Sequence, residues 1–166
     1  PLSARLAGIK GAIDARLDNK VIVTCAGDHG VVEEGVSLFP QEVTSQMVYN
    51  FVNDGASINV LARHAGAKVV VADFGVNCDF EPDLDIFHKK VRKGTGNFLK
   101  GLAMSRDEAV QAVEGGIEII DTLVLNGPVG ILGTGDMGIG ITTPSTAIIA
   151  AFSGIDVKKL TGRGTG

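Results

Sequence analysis

Residues 21–26 read Val-Ile-Val-Thr-Cys-Ala, and residues 27–30 directly after them read Gly-Asp-His-Gly. A short, continuous apolar run rich in β-branched residues predicts a buried strand, and the glycines after it predict a turn. A second such run occupies residues 69–72, and a third strand is predicted at residues 129–132. Strands of this kind are typical of parallel sheets that are covered on both faces.

Apolar residues with helical spacing separate these strands. They predict helices over residues 6–17, 40–51, 58–65, 105–120 and 142–152, with a long loop over residues 75–100. Gly66 is expected to end the third helix, and Ser105 with Glu108 has the spacing of a capping box. Alternating strands and helices predict a doubly wound, mostly parallel α/β sheet with helices on both faces, a Rossmann-like fold, in one domain over residues 1–166.

The composition excludes several classes of protein. The chain has 166 residues, of which 45% are hydrophobic and 20% charged, and its formal net charge is -4. An acidic chain without a basic face argues against nucleic acid as a partner. No apolar run approaches the roughly 18 residues that a membrane helix needs. Cys25 and Cys78 lack the paired spacing of a zinc site or a disulfide framework, which favours the cytoplasm.

Ligands of doubly wound sheets bind outside the carboxyl ends of the strands. We therefore expect the loops that begin at Gly27, Asp73 and Gly133 to lie at the same edge of the sheet and to share one crevice.

The stretch from Gly133 to Thr143 predicts a phosphate site in that crevice. Glycines let the backbone approach a ligand, and the free N–H groups and dipole of the following helix favour an anion. The candidate residues are Asp136, Gly138, Gly140, Thr142 and Thr143. Alternatively, the two threonines only cap the helix.

A second glycine-rich turn covers residues 162–166. Arg163 could add charge-assisted contacts to the same phosphate, with Gly164 beside it. The alternative is a flexible tail.

Gly133, Gly135 and Gly138 also match the G-x-G-x-x-G pattern of dinucleotide-dependent oxidoreductases, and Asp156 follows about 20 residues later. The acidic partner in that fold ends a second strand, whereas no strand is predicted before Asp156. The oxidoreductase is therefore kept only as an alternative.

Asp28 and His29 follow the first strand directly. They could handle protons or contact a ligand, or Asp28 could cap the loop while hydrogen bonds hold His29 in place. No third residue has suitable spacing for a metal site, and neither a Walker lysine nor an acidic pair for magnesium is present. No metal or cofactor is expected.

Several motifs in order resemble the nicotinate-nucleotide:dimethylbenzimidazole phosphoribosyltransferase family of cobalamin synthesis. They cover nearly the whole chain and lie at residues 26–37, 40–44, 46–48, 58–63, 73–76, 94–98, 104–109, 135–140, 142–143 and 162–166.

The resemblance implies transfer of phosphoribose from nicotinate mononucleotide to a base such as 5,6-dimethylbenzimidazole, giving α-ribazole phosphate without an obligatory metal. It implies a homodimer. It also implies that Gly138, Gly140, Thr142 and Gly164 hold the phosphate, and that a base pocket contains Ser37 and Gln46 with Asp28 and His29 nearby.

The chain departs from the family at Asp136 and Ile141, where the family usually has glutamate and asparagine. The family's general base lies beyond residue 166, and a further segment precedes Pro1. The resemblance thus implies the core of a longer enzyme, truncated at both ends and inactive alone, with Asp136 as the one nearby acidic candidate for the base. A noncatalytic nucleotide- or base-binding module is the alternative.

Overall fold

The computed structural model describes residues 1–164, so Thr165 and Gly166 of the second glycine-rich turn lie outside it. The elements in chain order are α1 (Leu2–Lys10), β1 (Lys20–Gly27), a 3-10 helix (Gly30–Glu34), α2 (Val43–Val52), α3 (Ser57–Ala65), β2 (Ala67–Gly75), β3 (Phe87–His88), α4 (Arg106–Leu125), β4 (Ile131–Met137), α5 (Thr142–Ser153) and α6 (Val157–Leu160).

The four strands form one sheet in the order β3-β2-β1-β4, and every pair is parallel. β1 lies in the middle, with its Ala26 opposite Asp73 of β2 and Met137 of β4. β3 pairs only with Ala72 and Asp73. The predicted strands are therefore parallel neighbours, and the doubly wound arrangement is confirmed.

Two hydrophobic cores cover the two faces of this sheet. Alternate side chains of a strand point to opposite faces. One core joins Ala26 and Val71 to α2, through residues such as Val48. The other joins Val23 and Ala72 to Ile119 of α4. Helices thus lie on both faces, as the sequence predicts.

The helix ends confirm two local predictions and correct a third. Gly66 follows α3 with a left-handed φ of 64°. Ser105 and Glu108 form the capping box at the start of α4. The first helix covers Leu2–Lys10 rather than residues 6–17, because Gly11 ends it with a left-handed φ of 65°.

The prediction for β4 is wrong at both ends, because the strand covers Ile131–Met137 instead of residues 129–132. Gly133 lies inside the strand opposite Ile22, and Gly27 and Gly138 lie at the carboxyl edge. A Cβ at Gly133 would make ordinary contact with the Ile22 side chain at 3.4 Å, so this glycine belongs to the extended strand and not to a turn.

Replacing Ile119 with alanine should lower the free energy of unfolding by about 2–5 kcal/mol, because Ile119 is 1% exposed in the core beneath α4. Ile117→Ala on the same helix is the matched control, since Ile117 is 56% exposed and should change stability by about 0.5 kcal/mol or less. Urea denaturation of both variants measures the difference. Equal losses would contradict the packing of α4 on the sheet.

Candidate functional site

The carboxyl ends of β1 and β4 meet at the point where the strand order reverses. There Gly138 packs so closely that a Cβ on it would collide with the carbonyl oxygen of Gly27 and lie 3.0 Å from Nε2 of His29. Crevices at such reversals are the usual ligand sites of open α/β sheets. The strand ends therefore define where a ligand would bind.

The turn between β4 and α5 is held by its own hydrogen bonds. The Ile139 amide donates to Oγ1 of Thr44 in α2 at 3.1 Å, and the Ile141 amide donates to the carbonyl of Gly138 at 3.1 Å. Within residues 1–164, the amides of Gly140 and Thr142 donate to no protein acceptor. Two free N–H groups at a helix start favour an anion.

The structure answers whether Thr142 and Thr143 serve as helix caps. Ile141 occupies the N-cap position of α5, and no side chain caps this helix. The two hydroxyls are therefore available to a ligand beside the turn.

A cleft of about 490 Å³ opens in front of this turn, and a smaller one of about 190 Å³ continues from it. The two share Asp136 and Thr142. Thr142 also lies close to Gly164, whose Cβ would be 3.3 Å from the Thr142 Oγ1 atom. All the predicted phosphate and ribose residues line one or both clefts: Asp136, Gly138, Gly140, Thr142, Thr143, Arg163 and Gly164.

The dinucleotide alternative does not fit this geometry. Gly133 and Gly135 lie within β4 instead of in a turn after it. Asp156 caps the short helix α6 by accepting a hydrogen bond from the Lys158 amide at 3.0 Å, and it ends no strand. The pattern that suggested an oxidoreductase is therefore coincidental.

Asp28 is buried and braces the loops at the strand ends. Its Oδ2 accepts a hydrogen bond from the Asn77 amide at 2.7 Å, its amide donates to Gly75, and its carbonyl accepts from Thr95. The alternative in which Asp28 caps the loop is therefore correct for its Oδ2 atom. The other oxygen, Oδ1, is buried without a partner among the described residues.

His29 differs from its predicted hydrogen-bonded state. Its Nε2 is buried, with no partner in the part of the chain that the structure describes. Burial lowers the pKa of His29, and the nearby charges of Asp28 and Asp136 act in the opposite direction. The ring is therefore neutral at neutral pH and lies against Gly138.

The residues predicted for the base pocket do not all lie in one cleft. Ser37 lines the smaller cleft. Its hydroxyl accepts a hydrogen bond from the Phe39 amide at 3.2 Å. Gln46 is exposed on α2, whose buried residues include Thr44 and Val48, and it lines neither cleft. Its role in a base pocket stays a prediction.

Several residues at the site were not predicted as site residues, and three of them stand out. Thr44 is fully buried and holds the turn through Ile139, while Val36 and Phe98 line the large cleft. A hydroxyl among the apolar residues of the predicted α2 was the available signal for Thr44. Val36 and Phe98 lie in loops, and the sequence around them has no pattern that predicts their position at the site.

Four basic residues lie between positions 89 and 93, where they stabilise the loop through ion pairs and do not form an anion site. Lys90 pairs with the buried Asp73 at 2.6 Å, and Arg92 pairs with Glu108 at 3.4 Å. Lys89 and Lys93 also form ion pairs. All four cations thus have carboxylate partners.

Another cleft, of about 500 Å³, lies beside the amino-terminal part of β2. It exists because β3 pairs with only two residues of β2 and leaves the rest of that edge open. No predicted site residue lines it, and it is remote from the carboxyl ends of the strands. We therefore place the functional site at the β1–β4 crevice.

Within residues 1–164, no three histidine, cysteine, aspartate or glutamate side chains are grouped to hold a metal ion. Over the same residues, no helix is long and apolar enough to cross a membrane.

A helix start with two free amides, at the reversal point of a doubly wound sheet, is the kind of site that can hold a phosphate group. Comparison with known proteins identifies the family. A phosphoribosyltransferase family matches residues 1–166, and the chain belongs to it.

The similar proteins agree with this assignment. The nicotinate-nucleotide–dimethylbenzimidazole phosphoribosyltransferase of Citrifermentans bemidjiense is 56% identical over 165 residues, covering 99% of this chain and 47% of the relative. The protein of that name from Geotalea uraniireducens is 57% identical, covering 98% and 46%. The solved structure of CobT from Thermus thermophilus matches with a TM-score of 0.95 and 42% identity, covering 99% and 49%. The chain thus spans about half the length of these relatives.

Replacing Gly138 with alanine should displace the turn, because the new methyl group would collide with the Gly27 carbonyl. We expect a loss of about 1–3 kcal/mol in unfolding free energy and at least tenfold weaker binding of inorganic phosphate, measured by calorimetry. Gly116→Ala, within α4 and with nothing within 4 Å of its Cβ, is the control and should leave phosphate binding unchanged. Unchanged phosphate affinity in Gly138→Ala would refute the assignment of the turn.

Proposed function

We propose that the protein transfers phosphoribose from nicotinate mononucleotide to 5,6-dimethylbenzimidazole or a similar base, giving α-ribazole phosphate and free nicotinate in cobalamin synthesis. Membership of the family supports the reaction class. The observation that carries the proposal is the cleft at the β1–β4 crevice, where free amides, hydroxyls and Arg163 surround one space.

The phosphate of the nucleotide binds at the turn between β4 and α5. Partial positive charge faces the anion here, from the amides of Gly140 and Thr142 and from the amino-terminal end of α5. Arg163 adds a positive charge across the cleft. With its phosphate fixed in this way, the ribose would lie toward Asp136, which borders both clefts.

The acceptor base binds beside the ribose, in the smaller cleft. Ser37 offers a hydroxyl there, and Met137 and Ile139 offer apolar surface suited to an aromatic ring. Asp28 and His29 lie behind the strand ends and support this pocket without facing the smaller cleft. Gln46 would need a further part of the protein to bring it into contact with the base.

Transfer requires that a base nitrogen lose its proton as it attacks the anomeric carbon, while the donor is held in one orientation. The residues of this chain fix the donor. The general base is assigned to the part of the relatives' length that this chain does not span. Among the described residues, Asp136 is the one acidic side chain that borders both clefts, but it is shorter by one methylene than the family's glutamate.

We also propose that the active protein is a homodimer. Large apolar side chains of α1 and α5 are exposed, which supports an interface with further protein. Ile9 is 81% exposed and Phe152 is 90% exposed.

The 166-residue chain should bind nicotinate mononucleotide but form α-ribazole phosphate at least a hundredfold more slowly than the full-length relative from Citrifermentans bemidjiense. The reason is that general-base catalysis contributes about 10²- to 10⁴-fold. Calorimetry measures the binding, and chromatography of the product measures the rate with both substrates saturating.

Nicotinate riboside, which lacks the phosphate, serves as the control ligand and should bind at least tenfold more weakly than the mononucleotide. Equal binding of the two would contradict the proposed donor site. Equal rates for the chain and the relative would refute the assignment of the base to another segment. In that event, loss of activity in Asp136→Asn would identify Asp136 as the base.

A further inference from the structure

A separate small cavity lies behind the crevice, between the ends of β1 and β2 and the start of α4. Its volume is about 170 Å³. Gly27 and Gly75 form its floor, and Met104 and Ala112 form the wall toward α4. It shares no lining residue with either cleft of the candidate site, although its His29 lies close to Gly138 of the smaller cleft.

The cavity is apolar, although charged residues border it. Phe74, Val91, Met104 and Ala112 supply hydrocarbon and thioether surface. An enclosed apolar cavity of about 150 Å³ stays dry and accepts a benzene-sized molecule, and this partly open cavity has a similar volume of about 170 Å³. The size and the wall chemistry therefore suit one uncharged ring.

Most polar groups around the cavity have partners, and the two atoms that have none among the described residues, Oδ1 of Asp28 and Nε2 of His29, are buried and present almost no surface to it. Arg92 pairs with Glu108, and the other carboxylate oxygen of Glu108 caps α4 by accepting from the Ser105 amide. Oγ1 of Thr95 accepts from the Gly30 amide. A charged ligand would therefore lose its hydration without gaining an ion pair, which costs free energy.

The cavity is formed by a braced backbone rather than by mobile side chains alone. The Gly94 amide donates to the Gly75 carbonyl at 2.9 Å, and the Thr95 amide donates to the Asp28 carbonyl at 3.0 Å. A Cβ at Gly75 would lie 3.0 Å from the Arg92 carbonyl oxygen. These contacts hold the loop in place over the strand ends, so the cavity exists before a ligand binds.

We propose that this cavity is a binding site for a small, uncharged, single-ring compound, separate from the nucleotide cleft. The inference does not depend on the proposed transferase reaction. An occupant would lie beside His29, whose ring also lies close to Gly138 of the turn between β4 and α5.

Toluene and N-methylpyridinium test the proposal because they have the same shape and differ in charge. Titration of the protein, followed by NMR of the methyl groups of Val91, Met104 and Ala112, should show saturable shifts with toluene. N-methylpyridinium should bind at least tenfold more weakly. This comparison uses the unaltered protein and needs no variant.

Ala112→Leu would fill the cavity from α4 and should weaken toluene binding at least tenfold. The matched control is Val113→Leu, one residue along the same helix and 65% exposed, which should bind toluene as the unaltered protein does. The proposal would be overturned by non-saturating shifts, by equal binding of the two probes, by retained affinity in a folded Ala112→Leu, or by shifts centred on the exposed Phe152.

Discussion

The ends of β1 and β4 approach each other so closely that no side chain fits between them at Gly138. This contact places the Gly27 carbonyl and the His29 ring against the first residue of the turn. The turn then leads directly into α5, and Thr44 of α2 holds it by accepting from the Ile139 amide. The position of the free amides, and hence of the proposed anion site, follows from this one close approach.

Two buried aspartates extend this constraint to the neighbouring strand. Asp73 accepts hydrogen bonds from the amides of Gly75 and Val76 and pairs with Lys90, so the end of β2 and the following loop are fixed together. Asp28 connects that loop to β1 through the Asn77 amide. A buried carboxylate costs much free energy without such partners, so these contacts position the loops strongly. The rigid edge explains how loop residues can form both the clefts at the β1–β4 crevice and the small, partly open cavity behind it.

The sequence predicted the parallel strands because they depend on local apolar runs. Glycines before a helix start indicated the turn between β4 and α5, and its binding of phosphate stays a prediction. It misplaced the end of β4, because the glycines at 133 and 135 lie within the strand and look the same in sequence as turn glycines. It did not predict Thr44 or Phe98 at the site, because their position depends on contacts between distant segments. The partnerless Nε2 of His29 likewise depends on the tertiary packing of Gly138 and has no local signal.

The central claim is that the turn at the end of β4 holds the phosphate of the substrate nucleotide. A crystal structure of the protein with nicotinate mononucleotide tests it most directly. Phosphate oxygens should lie within hydrogen-bonding distance of the amides of Gly140 and Thr142, with the ribose beside Asp136. A nucleotide whose phosphate lies instead on the basic loop at residues 89–93, or in the cleft beside β2, would contradict this assignment.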